Sequence, residues 1–215
     1  MHPNPAFRAT PEARAMAFVR DRGFGALTVS APEGPLMSHV PGVVSADGAG
    51  VEMHLVRSTP LARALAADEG AAGEGIAALW AVAGPDGYVS PDWYGVEDQV
   101  PTWNYVAVHL RGTLSRLPDA ALRPHLDALS EAFETRLAPK PPWRTDKMPE
   151  NLMTRMMRSL IPVRLSVERV ESTFKLGQNK PEPARLSAAE ALGASGIGAE
   201  TVVLSRLMRH PPERT

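Results

Sequence analysis

Apolar and polar residues alternate with period two along several stretches of this chain, which is the signature of half-buried β-strands. Val51, Met53 and Leu55 alternate with Glu52 and His54. Val163, Leu165, Val167 and Val170 alternate with Arg164, Ser166 and Glu168, with a break near Arg169 that suggests a bulge. Phe24 to Ser30 and Leu36 to Ala46 read as strands joined by the turn Pro32-Glu33-Gly34-Pro35, the second bent near Pro41-Gly42. Asp47-Gly48 supplies a hairpin turn. Gly75 to Ala83 is apolar throughout and reads as a central strand; Tyr88 to Ser90 adds a short one and Asn104 to Leu117 a long one.

Helical spacing appears between these stretches. Thr10-Pro11-Glu12 has an N-cap, a proline at the first helical position and an early acidic residue. That helix should run to about Asp21, bury Ala15, Phe18 and Val19, and stop at Gly23. Pro60 opens a short helix through Asp68. Pro118-Asp119 begins the longest, with Leu122, Leu126, Leu129 and Phe133 on one stripe. Pro149 to Ser159 should be helical, and from Ser187 two weak helices are separated by Gly193 and Gly196. Several antiparallel strands with hairpin turns, broken by helices, describe a small β-barrel with helical decoration, although spacing alone says only α+β with a Greek-key or meander sheet.

Composition narrows the function classes. The length of 215 residues, 44% hydrophobic and 22% charged, suits one globular domain over 1–215, with a helical insertion at about 118–160 and a C-terminal helical tail at about 187–215. The 21 prolines and 17 glycines exclude a helical bundle. A net charge of -1 provides no global attraction for nucleic acid, so DNA is a weakly supported partner. With no cysteine, disulfides and thiolate metal sites are excluded. No signal peptide or membrane-spanning run is visible, so the expected location is the cytoplasm.

The most informative segment is Val100-Pro101-Thr102-Trp103-Asn104-Tyr105-Val106-Ala107-Val108-His109. Pro101 keeps Val100 extended, and a strand follows from Tyr105. Trp103 and Asn104, just before it, either plug a sheet end and form a turn, or cover a flat heteroaromatic ring and satisfy its polar edge. Further segments follow the same family order: Ser38-His39-Val40-Pro41, Met53 to Pro60, Gly84 to Tyr94, and Phe174-Lys175-Leu176-Gly177-Gln178-Asn179-Lys180. Together these segments resemble the PaiB family over roughly residues 1 to 190. The resemblance implies a homodimeric, FMN-binding split β-barrel, α+β but mainly β, antiparallel and of Greek-key type, with peripheral helices. It also implies a role as transcriptional regulator or flavin sensor.

Several residues are candidates for holding that cofactor. Arg57 ends a strand, Ser58-Thr59-Pro60 opens a helix, and Arg63 projects from its first turn: a guanidinium, two hydroxyls and free amides at one junction suit an anion. The alternative is a solvated arginine beside an ordinary N-cap. In the family context this is the phosphate side of the flavin site, although the family usually has Asn where this chain has Thr59, which loses an amide hydrogen bond. His39 and His54 lie on neighbouring strands, either lining a ligand or structural; no nearby ligand set favours a metal. His109 reads as structural. Lys175, Gln178 and Asn179, around Gly177, form either a polar turn or, by the resemblance, a segment that serves the partner subunit's flavin.

No nucleophile triad, phosphate loop or Rossmann fingerprint stands out, and no residue is assignable as general acid or base. The alternative to the regulator is an FMN-dependent oxidoreductase acting on a small molecule. A third reading, from the histidines, is a haem-binding split barrel.

Overall fold

The computed structural model describes residues 1–69 and 75–212. Alternation becomes strand where it was legible: in β3 (Gly50–Val56) Val51, Met53 and Leu55 are buried. The other strands are β1 (Phe24–Val29), β2 (Leu36–Val44), β4 (Ile76–Val89), β5 (Thr102–Arg116) and β6 (Leu160–Lys175). They close into an antiparallel barrel in the order β1-β2-β3-β6-β5-β4, with β1 pairing back onto β4. Neighbours β1, β2 and β3 are hairpin-linked, whereas β3 takes β6 as its next partner (Met53 opposite Val163), a Greek-key crossing.

Around the barrel are helices α1 (Glu12–Arg22), α2 (Pro60–Glu69), α3 (Leu122–Glu134), α4 (Glu150–Met157), α5 (Glu182–Ser195) and α6 (Thr201–Arg209). Helical residues, short 3-10 turns included, account for 39% of the described residues, so the decoration is as large as the barrel. The described residues group into two packed units: one of 1–18, 83–109 and from 170 onward, the other of 19–82 and 110–169.

In the second unit the core is built on Leu27, Met53, Leu55, Trp80, Leu110, Leu114 and Leu165, all essentially inaccessible. Trp80 fits because two facing positions lack side chains: a Cβ at Gly42 would come within 3.0 Å of its ring and one at Gly25 within 2.9 Å of its Nε1. Removing such a ring costs on the order of 3–5 kcal/mol. A Cβ at Gly112 of β5 would lie 1.8 Å from the Ser166 carbonyl oxygen of β6, so only glycine lets the two backbones approach there.

In the first unit α5 and α6 pack on each other, with Ala184, Ala188, Ala189, Leu192, Leu204 and Met208 buried. Arg185 is buried between them and donates to the carbonyls of Met208 and, at 2.9 Å, Arg209, which closes the C-terminal end of α6. The Gln178 side chain is wholly engaged: Oε1 accepts from Leu176 N at 2.8 Å, and Nε2 donates to the carbonyls of Ala6 at 3.1 Å and Phe174 at 2.5 Å. It fastens the N-terminal segment to the end of β6.

Four expectations change. Gly84-Pro85-Asp86-Gly87 reads as a break, yet β4 runs through it as one strand of 14 residues. Its buried positions change parity there, from Ala78, Trp80 and Val82 to Val89, and Asp86 and Tyr88 bond backbone to backbone with Ala199 and Ile197. That remote partner replaces the expected turn. Strand β5 begins at Thr102, so Trp103 and Asn104 lie inside it. The longest helix is α5, with 14 residues against 13 in α3, and it starts at Glu182, ahead of Ser187. Finally, α3 buries Leu122 and His125, leaving Leu126, Leu129 and Phe133 half-covered, because it lies against the outer surface of β2 and β3. In β6 the buried Ile161, Val163 and Leu165 are followed near its end by the consecutively buried Ser172, Thr173 and Phe174.

Candidate functional site

The junction between β3 and α2 belongs to the second unit. Thr59 caps α2: its hydroxyl accepts from Ala62 N at 3.3 Å and donates to Val56 O at 2.8 Å. Arg63 folds back so that Nη2 donates to Ser58 O at 2.6 Å. Arg57 turns the other way, Nε donating to Arg158 O at 3.3 Å and Nη2 to Leu160 O at 3.1 Å. The four residues are neighbours in the chain, but the two guanidiniums turn apart, Arg63 towards Ser58 and Arg57 towards the start of β6. Both arginines are exposed and can exchange these carbonyls for an anion. Arg57 also lines a cavity of about 360 Å³ with Asp119, Arg123, Glu150 and Arg158, and its charge helps hold the Asp119 carboxyl below the usual range, after the larger effect of Arg116.

His39 and His54 do not meet. His39 is exposed and stacks on Phe24, rings 6.3 Å apart. His54 instead approaches His125 of α3, Nδ1 to Nε2 at 3.1 Å. Burial lowers the pKa of both, and for His125 burial first and then the His54 charge bring it to about 4. His125 was missed in the sequence; the signal was its place three residues after Leu122, on the apolar stripe. No group of three or more metal-ligating side chains occurs among the described residues.

The other candidates lie in the first unit. Adjacent in a strand, Trp103 and Asn104 point to opposite faces. Trp103 is 47% exposed and packs edge-on against Tyr88, which in turn meets Trp93, so three aromatics form an open platform. Asn104 is buried, with Nδ2 on Met208 Sδ at 3.4 Å. Asn104, Lys175 and exposed Asn179 line a cavity of about 180 Å³ with Phe7, Tyr94 and Lys180. Gln178 does not join them, since its amide is engaged with its own chain. Phe7, Tyr94 and Lys180 carried no sequence expectation of a site, although Tyr94 and Lys180 fall inside matched segments.

This barrel is the fold of flavin-binding split barrels. The structure matches an FAD- and haem-binding protein from Mycobacterium smegmatis with a TM-score of 0.55 at 19% identity, covering 89% of this chain and 82% of that one. It also matches a flavocytochrome from Azotobacter vinelandii with a TM-score of 0.56 at 13% identity, covering 81% and 72%. More narrowly, residues 1–169 match the family described as "Putative FMN-binding domain", and the chain belongs to that family. Among curated proteins it is similar to "Protease synthase and sporulation protein PAI 2" of Bacillus subtilis, 28% identical over 188 residues, covering 86% of each chain. It is an FMN-binding protein of the PaiB type. No helix among the described residues is long and apolar enough to cross a membrane.

Proposed function

We propose that this protein is a cytoplasmic, homodimeric flavin sensor that acts in transcriptional control, with the FMN phosphate held where β3 gives way to α2. The observation that carries the reading is the donor set at that junction: the exposed guanidiniums of Arg57 and Arg63 and the Ser58 and Thr59 hydroxyls, at the start of α2 where Thr59 caps Ala62 N. These groups fit a phosphate, because every one is a donor and two carry fixed positive charge. Within the first unit, Trp103, open and braced by Tyr88, is the aromatic face suited to a flat ring. When bound, FMN supplies the redox chemistry; the protein holds and orients it.

A control role is supported by the name of the Bacillus subtilis relative, which refers to protease synthesis and sporulation. A dimer is supported by the exposed apolar side chains of Val100 (72% exposed) and Trp103. It is supported as well by the apolar outward positions Ala77 and Leu79 of β4.

The decisive experiment begins with the absorption spectrum and an FMN titration of purified protein. A flavin spectrum with saturable, micromolar or tighter FMN binding agrees with the reading, and a Soret band overturns it in favour of haem. Assays of DNA retention and NAD(P)H turnover then separate sensor from enzyme. Turnover above roughly 1 s⁻¹ replaces the sensor with an FMN-dependent oxidoreductase. Sedimentation as a monomer at micromolar concentration with FMN present removes the dimer.

A further inference from the structure

Two ammonium groups belong to the lining of one cavity in the first unit, and neither has an anionic partner among the described residues. Lys175 Nζ donates to the Thr102 hydroxyl and lies 5.9 Å from the centre of the Phe7 ring. Lys180 Nζ donates to the Gln99 amide oxygen and lies 5.3 Å from the centre of the Tyr94 ring. All four partners are neutral, and among the described residues no carboxylate forms an ion pair with either lysine. Asp98, exposed at the rim, is the sole acidic residue in the lining. Burial, and next the charge of Lys180, lower the pKa of Lys175. Like charges half-withdrawn from water oppose one another unless an anion joins them.

Size decides what that anion can be. The cavity holds about 180 Å³, below the roughly 300–1,000 Å³ of pockets that enclose a whole cofactor or drug-sized ligand. It suits a phosphate or carboxylate with a small body, and it does not suit a flavin ring. Gly177, with φ of +77°, leaves its side of the cavity bare, and the aromatic faces of Phe7 and Tyr94 exclude water from the cations.

We infer that the cavity between Lys175 and Lys180 is an oxyanion subsite for a second, small ligand bearing a phosphate or carboxylate group, separate from the contacts proposed for the FMN phosphate. Lys175 and Lys180 act together as its charge clamp. Such a ligand is a small acidic metabolite whose binding the flavoprotein would sense alongside FMN.

The test is calorimetric titration of the full-length protein with inorganic phosphate and, separately, acetate, at fixed ionic strength, with and without saturating FMN. Saturable millimolar or tighter binding of either anion, undiminished by FMN, is expected. Lys180→Met and Lys175→Met should each weaken it at least roughly tenfold, and Lys180→Arg should restore most of it. FMN affinity, read from flavin absorbance, should stay within about twofold in Lys180→Met. Unsaturable binding, unchanged anion affinity in both Met variants, or displacement of FMN by phosphate would each overturn the subsite. A wild-type protein that takes no FMN but binds phosphate would sink the flavin reading alone.

Discussion

His54 and His125 meet edge to edge on the outside of the barrel, Nδ1 to Nε2 at 3.1 Å, with ring centres 5.3 Å apart and planes tilted by 60°. One ring must donate the shared proton and the other accept it, so the contact requires at least one neutral imidazole. If both rings carry a proton on the facing nitrogens, two donors oppose each other in a buried position. His125 is only 1% exposed, and its other nitrogen, Nδ1, has no partner.

The pair therefore sets an acid limit on stability. The folded pKa of His125, about 4, lies below the ordinary 6.5, so the unfolded chain binds the extra proton first. The stabilising contribution is complete above about pH 6.5 and is lost as the pH falls towards 4, amounting to up to about 3 kcal/mol. Urea midpoints measured across this window should fall steadily, and His125→Leu should flatten the slope. An equal slope in that variant would show that other groups govern it. The carboxyls of exposed Asp47 and Asp119 and of half-buried Glu134, whose pKa values are lowered by hydrogen bonds, lose their contributions at lower pH.

At Gly112 the added methyl of alanine would sit 1.8 Å from a backbone oxygen, which no rotamer change relieves. Gly112→Ala is expected to cost more than about 4 kcal/mol and to yield little folded protein. Gly34 is the comparison: with φ of +119° and no atom within 4 Å, alanine there meets backbone strain without a clash. Gly34→Ala should cost about 1–2 kcal/mol. Comparable losses at the two sites in denaturant titrations would contradict the close approach of β5 and β6.

Arg185→Met keeps an apolar stem of similar length but removes the donors to the last carbonyls of α6. The expected cost is about 1.5–3 kcal/mol, because those carbonyls lose charge-assisted bonds in a buried position. Limited proteolysis should then cut first after residue 200. Unchanged resistance would mean that α6 is held by apolar packing alone.

Arg57→Ala should weaken FMN about ten- to a hundredfold through loss of a charge-assisted contact of roughly 1.5–3 kcal/mol, with Arg63→Ala acting in the same direction. Riboflavin, which lacks the phosphate, should bind worse than FMN to the wild type and equally to wild type and variant. Unchanged FMN affinity in the double variant would move the phosphate elsewhere.

Much of the barrel was legible because period-two alternation in β3 and β6 reports which face is buried, and Asp47-Gly48 reports the hairpin. What stayed hidden depended on distant partners. Gly84 to Gly87 carries every local mark of a turn, and the backbone of Ile197 and Ala199, far along the chain, bonds it as strand. Likewise the basic junction at Arg57 was readable, but the carbonyls of Arg158 and Leu160 that orient it lie a hundred residues away. The separation of Trp103 from Asn104 follows from a strand that starts two residues earlier than its composition suggests. His125 escaped notice because a lone polar residue on an apolar stripe looks like an interruption until its partner is seen.

The fastening made by Gln178 has a practical side. The same few residues that it ties down include Phe7, whose ring walls the lysine cavity, and His2, whose amide bonds to Thr173 Oγ1 at 3.2 Å. An affinity tag fused ahead of Met1 would tug directly on that wall, and one placed after the end of α6 would act through Met208, which bonds Asn104 of the same cavity. Ligand measurements on differently tagged preparations can thus disagree for mechanical reasons, with no change in chemistry at the site.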